Sequence, residues 1–428
     1  KDRNYLLEYD NPEDFANSNY ISRENVESYI VDSLQPLAND ELLTPHEHQV
    51  DAITHAINND RCLLLSPTAS GKSLIIYTLV RYYMERIPED KKILIVVPTT
   101  SLVSQMYSDF MEYSHLDNTF DTEKEVHVVF AGRDKTSKSA KIIISTWQSI
   151  YKLPNEYFEQ YHTVFGDECH LFKSKSLSTL MSKLIDCPYR IGTTGTLDGT
   201  QTHKLVIEGL FGPVYDVITT KKLMDKKILA SLEIDAILLK YRVEETKNIR
   251  RAKYQDEMKW IIKNEKRNKF ITDMCLNLKG NTLILFQYVD EHGRILHNML
   301  KEKISDERNC FFIHGGTDVE LREEIRHIVE ENEDAIIVAS YGTFSTGISI
   351  RKLHNIIFAS PSKSRIRVLQ SIGRQLRKSE GKKVAKLYDI GDDLSWKSYK
   401  NHTLRHFSER IRIYKAEKFN FKSIVIRL

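Results

Sequence analysis

Leu63 to Val80 reads LLLSPTASGKSLIIYTLV: an apolar run, a turn of small residues ending in Gly71-Lys72-Ser73, then a stretch able to continue as a helix. A phosphate chain asks for such a turn. Small residues (Ser66, Thr68, Ser70, Gly71) let backbone N–H groups point inward, Lys72 reaches the β- and γ-phosphates, and the Ser73 hydroxyl holds magnesium. The strict GxxxxGK[ST] pattern fails only at its first position, where Ser66 stands. A second cluster, Thr163-Val164-Phe165-Gly166-Asp167-Glu168-Cys169-His170, delivers two adjacent carboxylates from the end of an apolar run. Asp167 is placed to hold the metal and Glu168 to polarise an attacking water. A third segment, Gln370 to Arg377, sets Arg374 and Arg377 at i and i+3 on one helix face. Their planar, permanent charges suit phosphate. Two readings of these arginines stand: stabilisation of charge developing on a γ-phosphate, or membership of a generally basic surface.

Such groups need a scaffold that brings loop ends together. Short apolar runs recur at Cys62–Leu65, Ile93–Val97, Val126–Val129, Lys141–Ile144, Thr163–Phe165 and Arg190–Gly192, with helical stretches such as Leu74–Arg86 and Ser101–Tyr113 between them. This alternation predicts crossover units and a parallel sheet. A second series follows at Leu283–Phe286, Cys310–Ile313, Ala335–Ala339, Asn355–Phe358 and Lys386–Asp389, again with intervening helices. The fold class is therefore α/β, two domains in tandem. The expected bounds are an amino-terminal segment over 1–44, a first domain over 45–225 and a second over 226–428 with a basic tail. Lys221–Leu229 is read as the linker, and Arg23–Ser33 as a helix capped by Ser22.

Length and composition agree with this. The 428 residues suffice for two or three domains. No run of about 18 apolar residues offers a membrane span, and KDRNYLLEYD is not a signal peptide, so a cytoplasmic location without membrane partners is expected. The first residue is Lys, and the chain is expected to continue upstream. Five cysteines without CxxC spacing argue against a disulfide framework or zinc site. Net charge is +3, but residues 1–50 carry 3 basic and 11 acidic side chains whereas residues 363–428 carry 18 basic and 6 acidic. A polyanion would choose the second region, although a solvated lysine-rich surface would look the same.

In order and spacing these motifs resemble the superfamily-two helicases of the DExH type. In that family the loop reads like Ala-Pro-Thr-Gly-Ser-Gly-Lys-Thr, so Ser66 and Ala69 are small-for-small departures. Pro45-His46-Glu47-His48-Gln49 resembles the adenine-reading motif, with Gln49 on the base. Val97 to Leu102 and Ser145 to Ser149 resemble motifs Ia and Ib. Gly192 to Thr196 resembles motif III, with Gly195 where many relatives have Ala. Leu285-Phe286-Gln287 matches motif IV, Ile313-His314-Gly315-Gly316 its neighbour, and Val338 to Ser349 motif V, with Ser349 where many relatives have Asp. The resemblance covers about residues 44 to 390.

The resemblance implies two RecA-like domains, ATP and Mg2+ as cofactors, and a catalytic set of Lys72, Asp167, Glu168, Gln370, Arg374 and Arg377. It assigns nucleotide contacts to Gln49, Ser66, Thr68, Ser70, Gly71, Ser73 and Gly347, and coupling to His170, Thr194 and Thr196. Nucleic-acid contacts fall on Pro98, Thr99, Thr100, Thr146, Gln148, Phe286, His314, Gly315, Ser340 and Thr343. Cys169 occupies a variable position and is read as packing. The implied function is an ATP-dependent DNA helicase or translocase on forks, junctions and R-loops, acting as a monomer, with a single-strand-binding protein as a further partner. An RNA helicase or duplex translocase, and an ATP-gated annealing module, are the alternatives. Hydroxyls and backbone N–H groups position phosphates without reading bases. For the strand-separating wedge, the basic stretch Arg250 to Lys269 and the aromatic, basic tail Trp396 to Lys422 are candidates; Tyr254, Trp260 and Phe270 equally fit a buried stripe.

Overall fold

The computed structural model describes residues 20–428 except 131, 173, 306–307, 348–349, 351, 362–363, 365–367, 370, 374–375 and 377–383. The chain divides into two compact units after Val217, with the short loops Ser66–Ser70 and Gly195–Lys204 grouped with the second.

The first unit is built on seven strands: β1 Arg61–Leu65, β2 Lys92–Val97, β3 Val126–Val129, β4 Ile142–Thr146, β5 Tyr161–Gly166, β6 Tyr189–Thr194 and β7 Val214–Asp216. All pairings are parallel, in the order β3-β4-β2-β5-β6-β1-β7. Ile93–Val97 and Ile142–Thr146 are buried at every position. That is the near-continuous apolar signature of strands covered on both faces. The helices Glu47–Asn58, Lys72–Met84 and Thr100–Tyr113 supply Ile53, Ile75, Val80 and Phe110 to the core beneath it. Residues ahead of the first motif pack on this unit: Ser22 caps the helix Arg23–Ser28, a π turn Tyr29–Leu34 continues it, and Val26 and Ile30 join the same core.

The second unit has its own seven strands: β8 Ser231–Lys240, β9 Thr282–Phe286, β10 Cys310–Ile313, β11 Ile336–Ser340, β12 Asn355–Phe358, β13 Val384–Asp393 and β14 Asn420–Arg427. They are also all parallel, in the order β10-β11-β9-β12-β13-β8-β14. Counted from the first strand of each unit, the two orders are identical. The same winding is laid down twice, and in each sheet the loops at the carboxyl ends of the strands share one edge, where open α/β sheets bind ligands.

Two expectations need correcting. Lys221–Leu229 is not a loose connector: it holds the helix Thr220–Asp225, and Leu223 and Leu229 are buried in the second core. The stretch read as a basic tail folds into the unit as the helix His402–Ala416 and the edge strand β14. Arg410 is fully buried against Asp389, whose carboxylate also accepts from the Tyr414 hydroxyl at 2.9 Å. Phe407 and Tyr414 face the interior, where no base can stack on them. Among the described residues no helix is long and apolar enough to cross a membrane.

Candidate active site

Strand β1 runs into the small-residue loop, and the helix Lys72–Met84 begins directly after it. The turn is made by left-handed backbone at Ala69 (φ 65°) and Gly71 (φ 81°). Gly71 precedes the helix and has no side chain with which to cap it, so the helix start is presented to a ligand. Glycine suits that φ, and a Cβ there would lie 2.0 Å from Gln49 Nε2, so that amide would have to move. The Gln49 amide donates to the Gly71 carbonyl at 3.3 Å and accepts from the His46 N–H at 2.8 Å. Ser66 and Ser70 join hydroxyls, and Ser70 also donates to the Pro67 carbonyl at 2.7 Å. A serine in the first loop position thus braces the turn. The Ser73 hydroxyl lies against the Tyr113 phenol, whose proton burial makes harder to lose.

Register carries the other groups to the same edge. Leu65 is level with Thr194, and Gly166 with both Val96 and Gly192. Asp167 follows directly on β5, its N–H donating to the Val96 carbonyl at 2.9 Å. Its Oδ1 accepts from the Thr193 hydroxyl at 2.8 Å and the Glu168 N–H at 2.9 Å. Burial, then the Glu168 carboxylate, pushes the Asp167 carboxyl above the usual range, while Lys72 and the Thr193 hydroxyl pull it back. Glu168 itself sits in the left-handed region (φ 52°, ψ 48°). For a non-glycine residue this costs about 1–3 kcal/mol and is typical of functional sites.

His170 joins the end of β5 to β6. Its Nδ1 lies 3.2 Å from Glu168 Oε2 and 3.0 Å from the Thr194 hydroxyl. The structure therefore brings His170 and Thr194 together, and Thr196 is buried in the loop beyond them. Cys169 is a packing residue: its Sγ donates to the Gly166 carbonyl at 3.0 Å, and burial pushes its thiol well up. Gly166 and Gly192 make room for it, since a Cβ on either would come within 3.0 Å of that sulfur. At Gly195, by contrast, a Cβ would make only contacts of 3.4 Å or more. Thr193 was not picked out by sequence reasoning. The signal was available in the doublet Thr193-Thr194, whose neighbours point to opposite faces of a strand.

The residues assigned to nucleic acid fall at strand ends too. Val97 and Thr146 are level, ending β2 and β4. Thr99 caps the helix Thr100–Tyr113, and Gln148 Nε2 donates to the Pro98 carbonyl at 3.2 Å, so the two loops are tied together. Thr146 pairs with the Ser149 hydroxyl at 2.8 Å. In the second unit, β11 is the counterpart of β4, and Ser340 at its end pairs with the Thr343 hydroxyl at 2.7 Å. The same i, i+3 hydroxyl pair thus stands at the same place in both sheets. His314 Nδ1 accepts from the Gly316 N–H at 3.1 Å, holding Gly315 exposed. Phe286 differs from its expected role: its ring is fully buried, stacked on Phe312 at 5.5 Å, so only its backbone is placed to meet a strand. Gly347 ends the helix Tyr341–Gly347. Gln370, Arg374, Arg377 and Ser349 lie outside the described residues.

The chain is similar to several known proteins. Residues 42–199 match the family model for the res subunit of type III restriction enzymes, and residues 265–379 that for the helicase conserved C-terminal domain. The chain is 34% identical over 421 residues to the ATP-dependent DNA helicase uvsW of Enterobacteria phage T4, covering 95% of this chain and 82% of that one. It is 25% identical over 407 residues to the DNA 3'-5' translocase XPB2 of Sulfurisphaera tokodaii, covering 87% of each. The ATP-dependent type ISP restriction-modification enzyme LlaBIII bound to DNA shares the fold, with a TM-score of 0.65 at 16% identity over 90% of this chain and 31% of that one. Two parallel sheets wound alike, a phosphate loop with its Asp-Glu strand end, and this likeness to uvsW have one conclusion: the chain belongs to the superfamily-two helicases, ATP-dependent DNA helicases and translocases whose ATP hydrolysis depends on nucleic acid.

Proposed function

We propose that the chain remodels branched DNA, unwinding or migrating forks, junctions and R-loops, with the motif residues in the roles their positions suggest. The observation that carries this is the chain of contacts Glu168–His170–Thr194, which links the water-activating carboxylate to the adjacent strand and to the loop beyond it. Lys72 and the amides at the head of its helix hold the β- and γ-phosphates. Glu168 orients the attacking water, and Arg374 and Arg377 supply cationic charge to the γ-phosphate. The donor set suits magnesium: Asp167 is a buried carboxylate already oriented by Thr193, and Ser73 stands at the helix start. Mg2+, when bound, would neutralise charge on the phosphate oxygens. A change at Glu168 on hydrolysis shifts the His170 ring, and with it Thr194. Hydroxyl pairs repeated in the two sheets give each unit a grip on a phosphodiester backbone that reads no bases. Likeness to the phage helicase and the archaeal translocase supports DNA as the track.

The test is ATP hydrolysis and strand displacement on single strands, blunt duplex, forks, four-way junctions and RNA–DNA hybrids at two salt concentrations. Forks and junctions should stimulate most, and binding should weaken steeply with salt. Lys72→Ala should abolish stimulated hydrolysis, and Arg377→Ala should keep ATP binding but lose turnover. Equal stimulation by every substrate would remove the case for branched DNA. Full activity of Glu168→Gln would indicate an annealing module that needs only ATP binding.

A further inference from the structure

The second sheet carries, on its carboxyl edge, a group of basic and aromatic side chains with no part in the scheme above. Strand β13 ends at Asp393, and a tight hairpin follows in which Trp396 and Tyr399 exchange both backbone hydrogen bonds at 3.0 Å, leaving Lys397 and Ser398 exposed at the tip. Strand β8, beside β13, leads through the short helix Val243–Thr246 into the turn Arg250 to Lys253. The two segments meet: the Arg250 guanidinium lies 3.4 Å from the Trp396 ring centre, and the Tyr254 ring packs on His406 at 5.3 Å. Exposed Arg251, Lys253, Lys397, Lys400 and Arg405 surround them. The nearby carboxylate of Asp393 is taken up by the Ser395 N–H and by Lys240 at 3.7 Å. None of the chain's three tryptophans, Trp396 included, is buried.

The hairpin is held stiffly. The Leu394 N–H donates to Asn401 Oδ1 at 3.0 Å, and Asn401 donates to Glu257 at 2.8 Å. Asp392 is anchored by the Tyr241 hydroxyl at 2.6 Å and Arg267 Nε at 2.7 Å. The two facing turns are made by left-handed backbone at Arg251 (φ 58°) and Lys397 (φ 53°). Strand spacing puts β13 and β8 about 14–19 Å along the edge from Ser340, roughly four to six stacked nucleotides.

We propose that the Trp396–Tyr399 hairpin and the Arg250–Lys253 turn form a second nucleic-acid contact. An unpaired base stacks on the Trp396 ring in place of Lys397, whose Nζ lies 5.9 Å from the ring centre, and Arg250, Lys397 and Lys400 hold the flanking phosphates. The site rests on the chain's nucleic-acid binding and names a place for the single strand at a fork. It also joins the two stretches that the sequence offered separately as wedges.

In a chain carrying Trp147→Phe and Trp260→Phe, emission from the remaining Trp396 should be quenched by a forked oligonucleotide and little by blunt duplex. In the otherwise native chain, Trp396→Ala should weaken fork binding roughly tenfold. Arg250→Ala with Lys397→Ala should lower the slope of log affinity against log salt by about 1.4, two single-strand phosphates' worth. Unquenched emission, equal quenching by blunt duplex, or an unchanged salt slope overturns the proposal. ATP hydrolysis by the native chain on the same DNA is measured alongside. A chain that responds to DNA there but fails these tests loses only the second contact; one that ignores DNA loses the wider reading as well.

Discussion

Both burial and Glu168 oppose a negative charge on Asp167. Its folded carboxyl therefore holds a proton more tightly than the unfolded one, whose pKa is near 3.8. Between those two values the native state binds more protons, so this group makes stability fall as pH rises through the window. Asp167→Asn removes the charge and keeps an oxygen for the Thr193 hydroxyl. Its ligand-free form should melt higher at neutral pH, by about 2–4 °C per kcal/mol recovered, while stimulated ATP hydrolysis is lost. Calorimetry and a phosphate-release assay on the same protein would check both. Ala69 makes a similar case. Its φ of 65° costs an L-residue about 1–2 kcal/mol, so Ala69→Gly should stabilise by about 1 kcal/mol net of glycine's greater unfolded freedom, seen as a raised thermal midpoint. At this scale residue types were legible because phosphate chemistry admits few of them. Thr193 and the buried Phe286 ring were not, because which face of a strand a side chain takes depends on register.

Among elements, eleven strands could be read off apolar runs, some to the residue, as with Val126–Val129, Cys310–Ile313 and Asn355–Phe358, but β7, β8 and β14 were missed. The end of the chain could not be read in this way. High lysine and arginine content over residues 363–428 looked like a surface for a polyanion, yet Arg410 spends its charge inside the fold on Asp389. Charge counts do not distinguish a paired interior cation from a solvated one. Asp389→Ala would strand the Arg410 guanidinium, with Tyr414 also losing its acceptor, and should cost about 3–5 kcal/mol in urea unfolding of the second unit. A loss under 1 kcal/mol would mean that the helix His402–Ala416 is only loosely attached.

For the molecule as a whole, the doubled strand order explains why one pattern of loops could be matched twice, and why hydroxyl pairs recur at Thr146 and Ser340. It also fixes which strand waits longest for its neighbours. β8 lies between β13 and β14, the last two strands of the chain. Deleting residues 419–428 should leave one side of this ten-residue, largely apolar strand unpaired, a template for edge-to-edge association. The shortened chain should pass from the soluble to the pelleted fraction, and a soluble, monomeric product on sedimentation would contradict this. The same arrangement acts during translation. Roughly 140 residues separate β8 from β13, so at about 5–20 residues per second the ribosome leaves SLEIDAILLK without a partner for on the order of ten seconds. In the first unit β1 waits nearly as long, since about 125 residues separate it from β6 and its other neighbour is β7. Both halves should therefore depend on chaperones or slow synthesis for their yield, the second somewhat more.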